Sequence, residues 1–124
     1  MARAKVLLVD DEVEFASTLS ERLNIRGYDT KAVYSADAVL NKVRSDIPDV
    51  VILDLKMPGA NGLDILKAIK QFNPSIEVIL LTGHGSEQCT AESESGGAFD
   101  YMMKPVEIDS LTEKIEMALG KKQK

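Results

Sequence analysis

The stretch Val50-Val51-Ile52-Leu53-Asp54-Leu55-Lys56-Met57-Pro58-Gly59 joins four consecutive apolar residues to an acid and then to a turn signal. A short run that is apolar on both alternating faces predicts a strand covered from both sides, as in the middle of a parallel sheet. Two similar runs lie further out in the chain, Val6-Leu7-Leu8-Val9 and Val78-Ile79-Leu80-Leu81, and both also end in polar residues: Asp10-Asp11-Glu12 and Thr82-Gly83-His84. Tyr28 to Val33 and Ala98 to Met102 have mixed polarity and suit the edges of the same sheet.

Between the strands, apolar residues recur every three or four positions, as on one face of a helix. The sets are Ala16, Leu19 and Leu23; Val39, Leu40 and Val43; Leu63, Leu66 and Ile69; and Ile108, Leu111, Ile115 and Leu119. Strict β and α alternation predicts right-handed crossovers and an α/β fold, a five-stranded parallel sheet flanked by helices on both faces. Ser86 to Ser95 fills the slot of the fourth helix with only Cys89 and Ala91 as apolar residues, two apart and therefore on different faces. A weak, mobile fourth helix is expected there.

With 124 residues, 44% hydrophobic and 28% charged, the chain has the size and composition of one folded domain, and disorder throughout is excluded. Its net charge of -5 provides no overall positive field for gripping phosphate backbones, so no direct nucleic-acid partner is expected. No apolar run approaches the roughly 20 residues that span a bilayer, which points to a cytoplasmic protein without a membrane contact. Cys89 stands alone, so neither an intrachain disulfide nor a zinc cluster is expected. Nothing divides the chain before Gly120: residues 1–120 read as one domain and 121–124 as a polar tail or the start of a linker.

Ligands of open parallel sheets bind beyond the carboxyl ends of the strands. That edge collects Asp10, Asp11, Asp54, Thr82 and Lys104. Three carboxylates converging there repel one another unless a cation shares the site, and Mg²⁺ suits an all-oxygen donor set that leaves room for a phosphoryl group. Calcium fits less well, because no twelve-residue loop of ligands is present. Simpler readings exist for single residues: Asp11 as the N-cap of the helix starting near Val13, and Asp54 as a turn residue before Met57-Pro58-Gly59. Taken together, the residues allow Asp54 to act as a nucleophile toward phosphorus, with the Lys104 ammonium and the Thr82 hydroxyl meeting phosphoryl oxygens. A cis peptide before Pro105 would aim Lys104 into the site.

These residues resemble the receiver domain of bacterial two-component response regulators, and the resemblance covers essentially the whole chain. It rests on Val9-Asp10-Asp11-Glu12, on Asp54-Leu55-Lys56-Met57-Pro58-Gly59 with Gly62 following, on Leu81-Thr82-Gly83-His84-Gly85, and on Phe99-Asp100-Tyr101-Met102-Met103-Lys104-Pro105. It implies a flavodoxin-like sheet of strand order 2-1-3-4-5 and a phosphoacceptor at Asp54. Mg²⁺ would be bound by Asp11, Asp54 and the Lys56 backbone carbonyl, with Asp10 acting through water. Thr82 and Tyr101 would form a switch whose movement changes a partner surface. The implied partners are a sensor histidine kinase or phosphotransfer protein upstream and an output domain or protein downstream. Such a domain holds its phosphoryl group, hydrolyses it slowly and makes no product, so it is not an enzyme in the usual sense. Lys56 and His84 would flank the water path to the acceptor; His84 follows a strand, unlike the helical-bundle histidines that donate phosphoryl groups.

Other functions fit less of the sequence. A phosphatase of the haloacid dehalogenase type needs a second Asp two positions after its nucleophile, where this chain has Lys56. A flavin site would set Asp10-Asp11-Glu12 against the cofactor phosphate. A receiver-like interaction domain that is never phosphorylated would not need the full set of acids, hydroxyl and lysine.

Overall fold

Strand formation follows the apolar runs closely. The computed structural model describes residues 4–57, 60–82 and 97–122. Its main sheet contains β1 (Lys5–Val9), β2 (Asp29–Val33), β3 (Val50–Asp54), β4 (Glu77–Thr82) and β5 (Asp100–Met103). All four pairings are parallel and the order is β2-β1-β3-β4-β5, so the two strands of mixed polarity lie at the edges as expected. The helices are α1 (Val13–Ile25), α2 (Ala36–Ser45), α3 (Gly62–Phe72) and a C-terminal helix (Ile108–Lys122).

Alternation along the strands divides the core in two. Val6, Leu8, Val50, Ile52, Ile79 and Leu81 pack with Ala16, Leu19 and Leu23 of α1 and with Leu111 and Ile115 of the C-terminal helix. Their neighbours Leu7, Val9, Val51, Leu53, Val78 and Leu80 pack on the opposite face with Val39 and Val43 of α2 and Leu66 and Ile69 of α3. The three central strands are apolar at every position between their ends because both faces are covered.

At the β2 edge, Asp29 N–H donates to Ala4 O at 2.9 Å and Asp10 N–H donates to Val33 O at 3.1 Å. Odd-numbered residues of β2 therefore turn their backbone groups toward β1, and Thr30 turns its own outward. The Asn24 amide from the end of α1 meets them: Thr30 N–H donates to Asn24 Oδ1 at 2.8 Å, and Asn24 Nδ2 donates to Thr30 O at 3.4 Å. Gly27, at φ +101°, makes the left-handed turn between α1 and β2. The Tyr28 hydroxyl donates to Glu116, and Arg26 pairs with Asp109 at 3.0 Å, tying that turn to the C-terminal helix.

Three features differ from the sequence expectation or lie beyond it. A two-residue antiparallel pairing of Lys56–Met57 with Ala60–Asn61 follows β3 directly; so short an element has no periodicity to betray it. The C-terminal helix runs through Lys122, so residues 121–122 are helical and not part of a tail beginning at 121. The weak fourth helix expected over 86–95 lies outside the described residues, as does His84. No helix among the described residues is long and apolar enough to cross a membrane.

Gly62 starts α3 close under the end of β3: a Cβ there would stand 2.8 Å from Leu55 Cα and 3.1 Å from Leu55 O. At Gly120, in the C-terminal helix, a Cβ would meet nothing within 4 Å. Substitution by Ala is therefore expected to have opposite signs at the two positions. In urea denaturation, Gly62→Ala should destabilise by about 1–3 kcal/mol through overpacking against backbone, and Gly120→Ala should stabilise by up to about 1 kcal/mol through helix propensity. Equal effects would refute the close approach at Leu55.

Candidate functional site

The parallel arrangement brings the carboxyl ends of four strands to one edge. Asp10, immediately after β1, is fully buried, and its Oδ1 accepts the Glu12 N–H at 2.9 Å, turning the chain into α1. Asp54, the last residue of β3, is 3% exposed, and Thr82, the last of β4, is equally hidden. Lys104 follows β5, where its backbone N–H donates to Thr82 O at 2.9 Å and extends the ladder to the mouth of the site. The Lys104–Pro105 peptide is cis, as expected from the sequence.

The Lys104 ammonium is the electrostatic centre of this edge. It stands 2.8 Å from Asp10 Oδ2, 2.8 Å from Glu12 Oε1 and 3.5 Å from Asp54 Oδ2. The Phe15 ring lies 4.7 Å from it, within cation–π range. Burial works against its charge, but the contacts with Asp10 and Glu12 and the nearby Asp54 outweigh that and hold its pKa above the ordinary lysine value. Its contribution to stability is thus present below the ordinary value of 10.5 and lost only as pH rises through the higher folded value.

Asp10, Glu12 and Asp54 each offer a carboxylate oxygen, all within 4.8 Å of one another, a grouping able to hold a cation. Asp10 Oδ2 is buried, with the Lys104 ammonium 2.8 Å away. A buried oxygen so placed, in an all-oxygen set, suits a hard divalent ion. Asp11 is half-buried and outside this group of three, and the N-cap position of α1 belongs to Glu12. Lys56, two residues after Asp54, pairs with Asn61 in the short antiparallel ladder.

Thr82 and Tyr101 lie on neighbouring strands of the sheet. Leu80 pairs with Tyr101 and Thr82 with Met103. Leu80 and Tyr101 both pack toward the α2 and α3 face, and Thr82, two residues beyond Leu80, shares that face one pair further along. Tyr101 is half-buried there.

Of the residues singled out from sequence, the fold brings Asp10, Asp54, Thr82 and Lys104 together. Sequence reasoning missed two: Glu12, the last acid of the Asp10-Asp11-Glu12 run, and Phe15, three positions later and hence on the same side of the first helical turn. The adjacency of Glu12 to the two aspartates was the available signal; Phe15 reads as an ordinary core residue.

Comparison with known proteins agrees with this geometry. The family profile described as response regulator receiver domain matches residues 6–116. Sporulation initiation phosphotransferase F of Bacillus subtilis is 34% identical over 119 residues, 96% of each chain. Transcriptional regulatory protein ZraR of Salmonella typhimurium is 36% identical over 122 residues, 97% of this chain but 28% of the regulator, so the chain spans little more than a quarter of that relative. The crystal structure of a CheY-like response regulator receiver domain protein from Methanospirillum hungatei superposes with a TM-score of 0.94 at 27% identity, covering 98% of both chains.

Because Lys104 is only 17% exposed and faces two nearly inaccessible carboxylates, Lys104→Met is expected to destabilise by about 2–4 kcal/mol at neutral pH. Millimolar Mg²⁺ should restore part of that loss by mass action. Urea midpoints with and without Mg²⁺ check both statements, and an unchanged midpoint in the variant would remove Lys104 as their counter-ion.

Proposed function

The chain belongs to the response regulator receiver domain family, a family of two-component signalling, and from that membership we propose that Asp54 is its phosphoacceptor. The donor is a sensor histidine kinase or a phosphotransfer protein, met in the cytoplasm. The observation that carries the reading is the position of Asp54: the last residue of the central strand, almost inaccessible, with an ammonium 3.5 Å away and two further carboxylates close by.

In the transfer, an Asp54 carboxylate oxygen forms a bond to phosphorus while the bond from phosphorus to the donor imidazole nitrogen breaks, and the electron pair leaves on that nitrogen. Phosphoryl transfer needs little covalent help and depends on positioning and charge. Lys104 supplies a fixed positive charge to one phosphoryl oxygen, and the Thr82 hydroxyl donates to another. Mg²⁺ is the expected cofactor, held by Asp10, Asp11, Asp54 and the Lys56 carbonyl; when bound it offsets the charge of the carboxylates and the incoming group. The product is a phosphorylated domain whose acyl phosphate is slowly cleaved by water to inorganic phosphate and the Asp54 carboxylate, a switch and not a turnover enzyme.

Signalling follows if the phosphoryl group stabilises one packing of Thr82 and Tyr101 over another. Their shared sheet face gives the two residues a direct route, and Tyr101 on the edge strand carries the change to a downstream output domain or protein. The receiver unit takes in residues 1–120 together with the last turn of the C-terminal helix through Lys122.

With phosphoramidate and Mg²⁺, wild-type protein is expected to gain one phosphoryl adduct by intact mass spectrometry, labile to hydroxylamine as an acyl phosphate. Asp54→Asn should gain none, omission of Mg²⁺ should suppress the adduct, and Lys104→Met should slow it by about 100-fold. Thr82→Ala should still be labelled but lose the amide shift at Tyr101 that beryllofluoride produces in wild type. A wild-type protein that forms no adduct and ignores beryllofluoride would be an interaction domain working without phosphorylation.

A further inference from the structure

Lys104 stands closer to Glu12 than to the acid it is proposed to serve: 2.8 Å from Glu12 Oε1 against 3.5 Å from Asp54 Oδ2. Glu12 occupies the N-cap position of α1, where a side chain ordinarily bonds to the helix amides, yet it makes no such bond and reaches Lys104 instead. Its side chain is 64% exposed, in contrast to Asp10 and Asp54. Phe15, from the same helical turn, places its ring 4.7 Å from the same ammonium. One end of α1 therefore supplies both an exposed counter-ion and an aromatic seat for the lysine.

We propose that Glu12 is a positioning residue: a displaceable counter-ion that holds the Lys104 ammonium over Phe15 and away from Asp54 until a phosphoryl group arrives. The inference rests on the reading of Asp54 as phosphoacceptor. An aspartyl phosphate presents more charge and more acceptor oxygens than a single carboxylate, and it draws the ammonium inward at the expense of Glu12. Glu12 touches neither the forming nor the breaking bond. It sets how readily Lys104 becomes available, and a mostly exposed ion pair imposes a resistance of a few-fold, small enough for the phosphoryl group to overcome.

Wild type, Glu12→Gln and Glu12→Asp distinguish this role from simple charge repulsion of the donor. Gln removes the charge; Asp retains it on a side chain shorter by one bond, about 1.5 Å, which withdraws it from Lys104. With phosphoramidate and Mg²⁺, both variants are expected to form the adduct about two- to fivefold faster than wild type. Both should also shift the Lys104 ¹⁵Nζ resonance in the unphosphorylated protein, and the shift should vanish once beryllofluoride is bound. An Asp variant that behaves as wild type while Gln accelerates would overturn the proposal in favour of charge repulsion. Slower labelling in Gln would overturn it by making Glu12 a helper of the cation site, and unchanged rates with an unmoved ¹⁵Nζ resonance would overturn it outright. Absence of any adduct in wild type would instead bring down the Asp54 reading itself, and this inference with it.

Discussion

Two carboxylates, Asp10 and Asp54, are held almost out of solvent at the end of adjacent central strands, and the Lys104 ammonium is the cation that makes this tolerable. Removing such charges from water costs several kcal/mol per ion, and a pair of this kind seldom repays the cost in stability alone. The arrangement therefore has to be imposed by the rest of the molecule. Parallel strands with their carboxyl ends aligned deliver the two acids side by side, and the Lys104 N–H bond to Thr82 O fixes the register of the edge strand that brings the counter-ion. The apolar mass of the two cores supplies the free energy that keeps like charges so near one another.

The same sheet keeps two structural neighbourhoods apart. Glu12 and Phe15 approach the ammonium from α1, which packs on one face together with the C-terminal helix. Thr82 and Tyr101 belong to the other face, with α2 and α3. A charge placed on Asp54 sits at the rim where both faces end, so one chemical event can be met by one set of residues and reported by another. Such division needs only that the event favour one local packing over its alternative.

The fold was legible because the three central runs are too apolar and too short to be anything but doubly covered strands, and because the mixed polarity of 28–33 and 98–102 assigned the edges. Asp10, Asp54, Thr82 and Lys104 were legible for a related reason: each terminates a strand, and strand ends converge in a parallel sheet. Glu12 escaped because its partner lies 92 positions away and the contact depends on side-chain reach. Asp11, a stronger candidate on paper, lies outside the group of acids that Glu12 joins. Phe15 escaped because an aromatic on an amphipathic helix reads as core. The Lys56–Met57 pairing and the Asn24 amide were invisible for want of any periodic signal; both are local hydrogen-bonding solutions to chain geometry.

Asn24 bears on a different property of the molecule. Open sheets are exposed to uncontrolled growth, since an edge strand offers a ready template to any extended chain. Here the outward backbone groups of Thr30, the second residue of β2, are already matched by a side-chain amide that acts as a single-residue mimic of a neighbouring strand. An incoming strand would have to evict that amide and leave Asn24 seeking new partners. At Thr30 the β2 edge is thereby a poor template for a further strand, and growth of the sheet through that position is opposed.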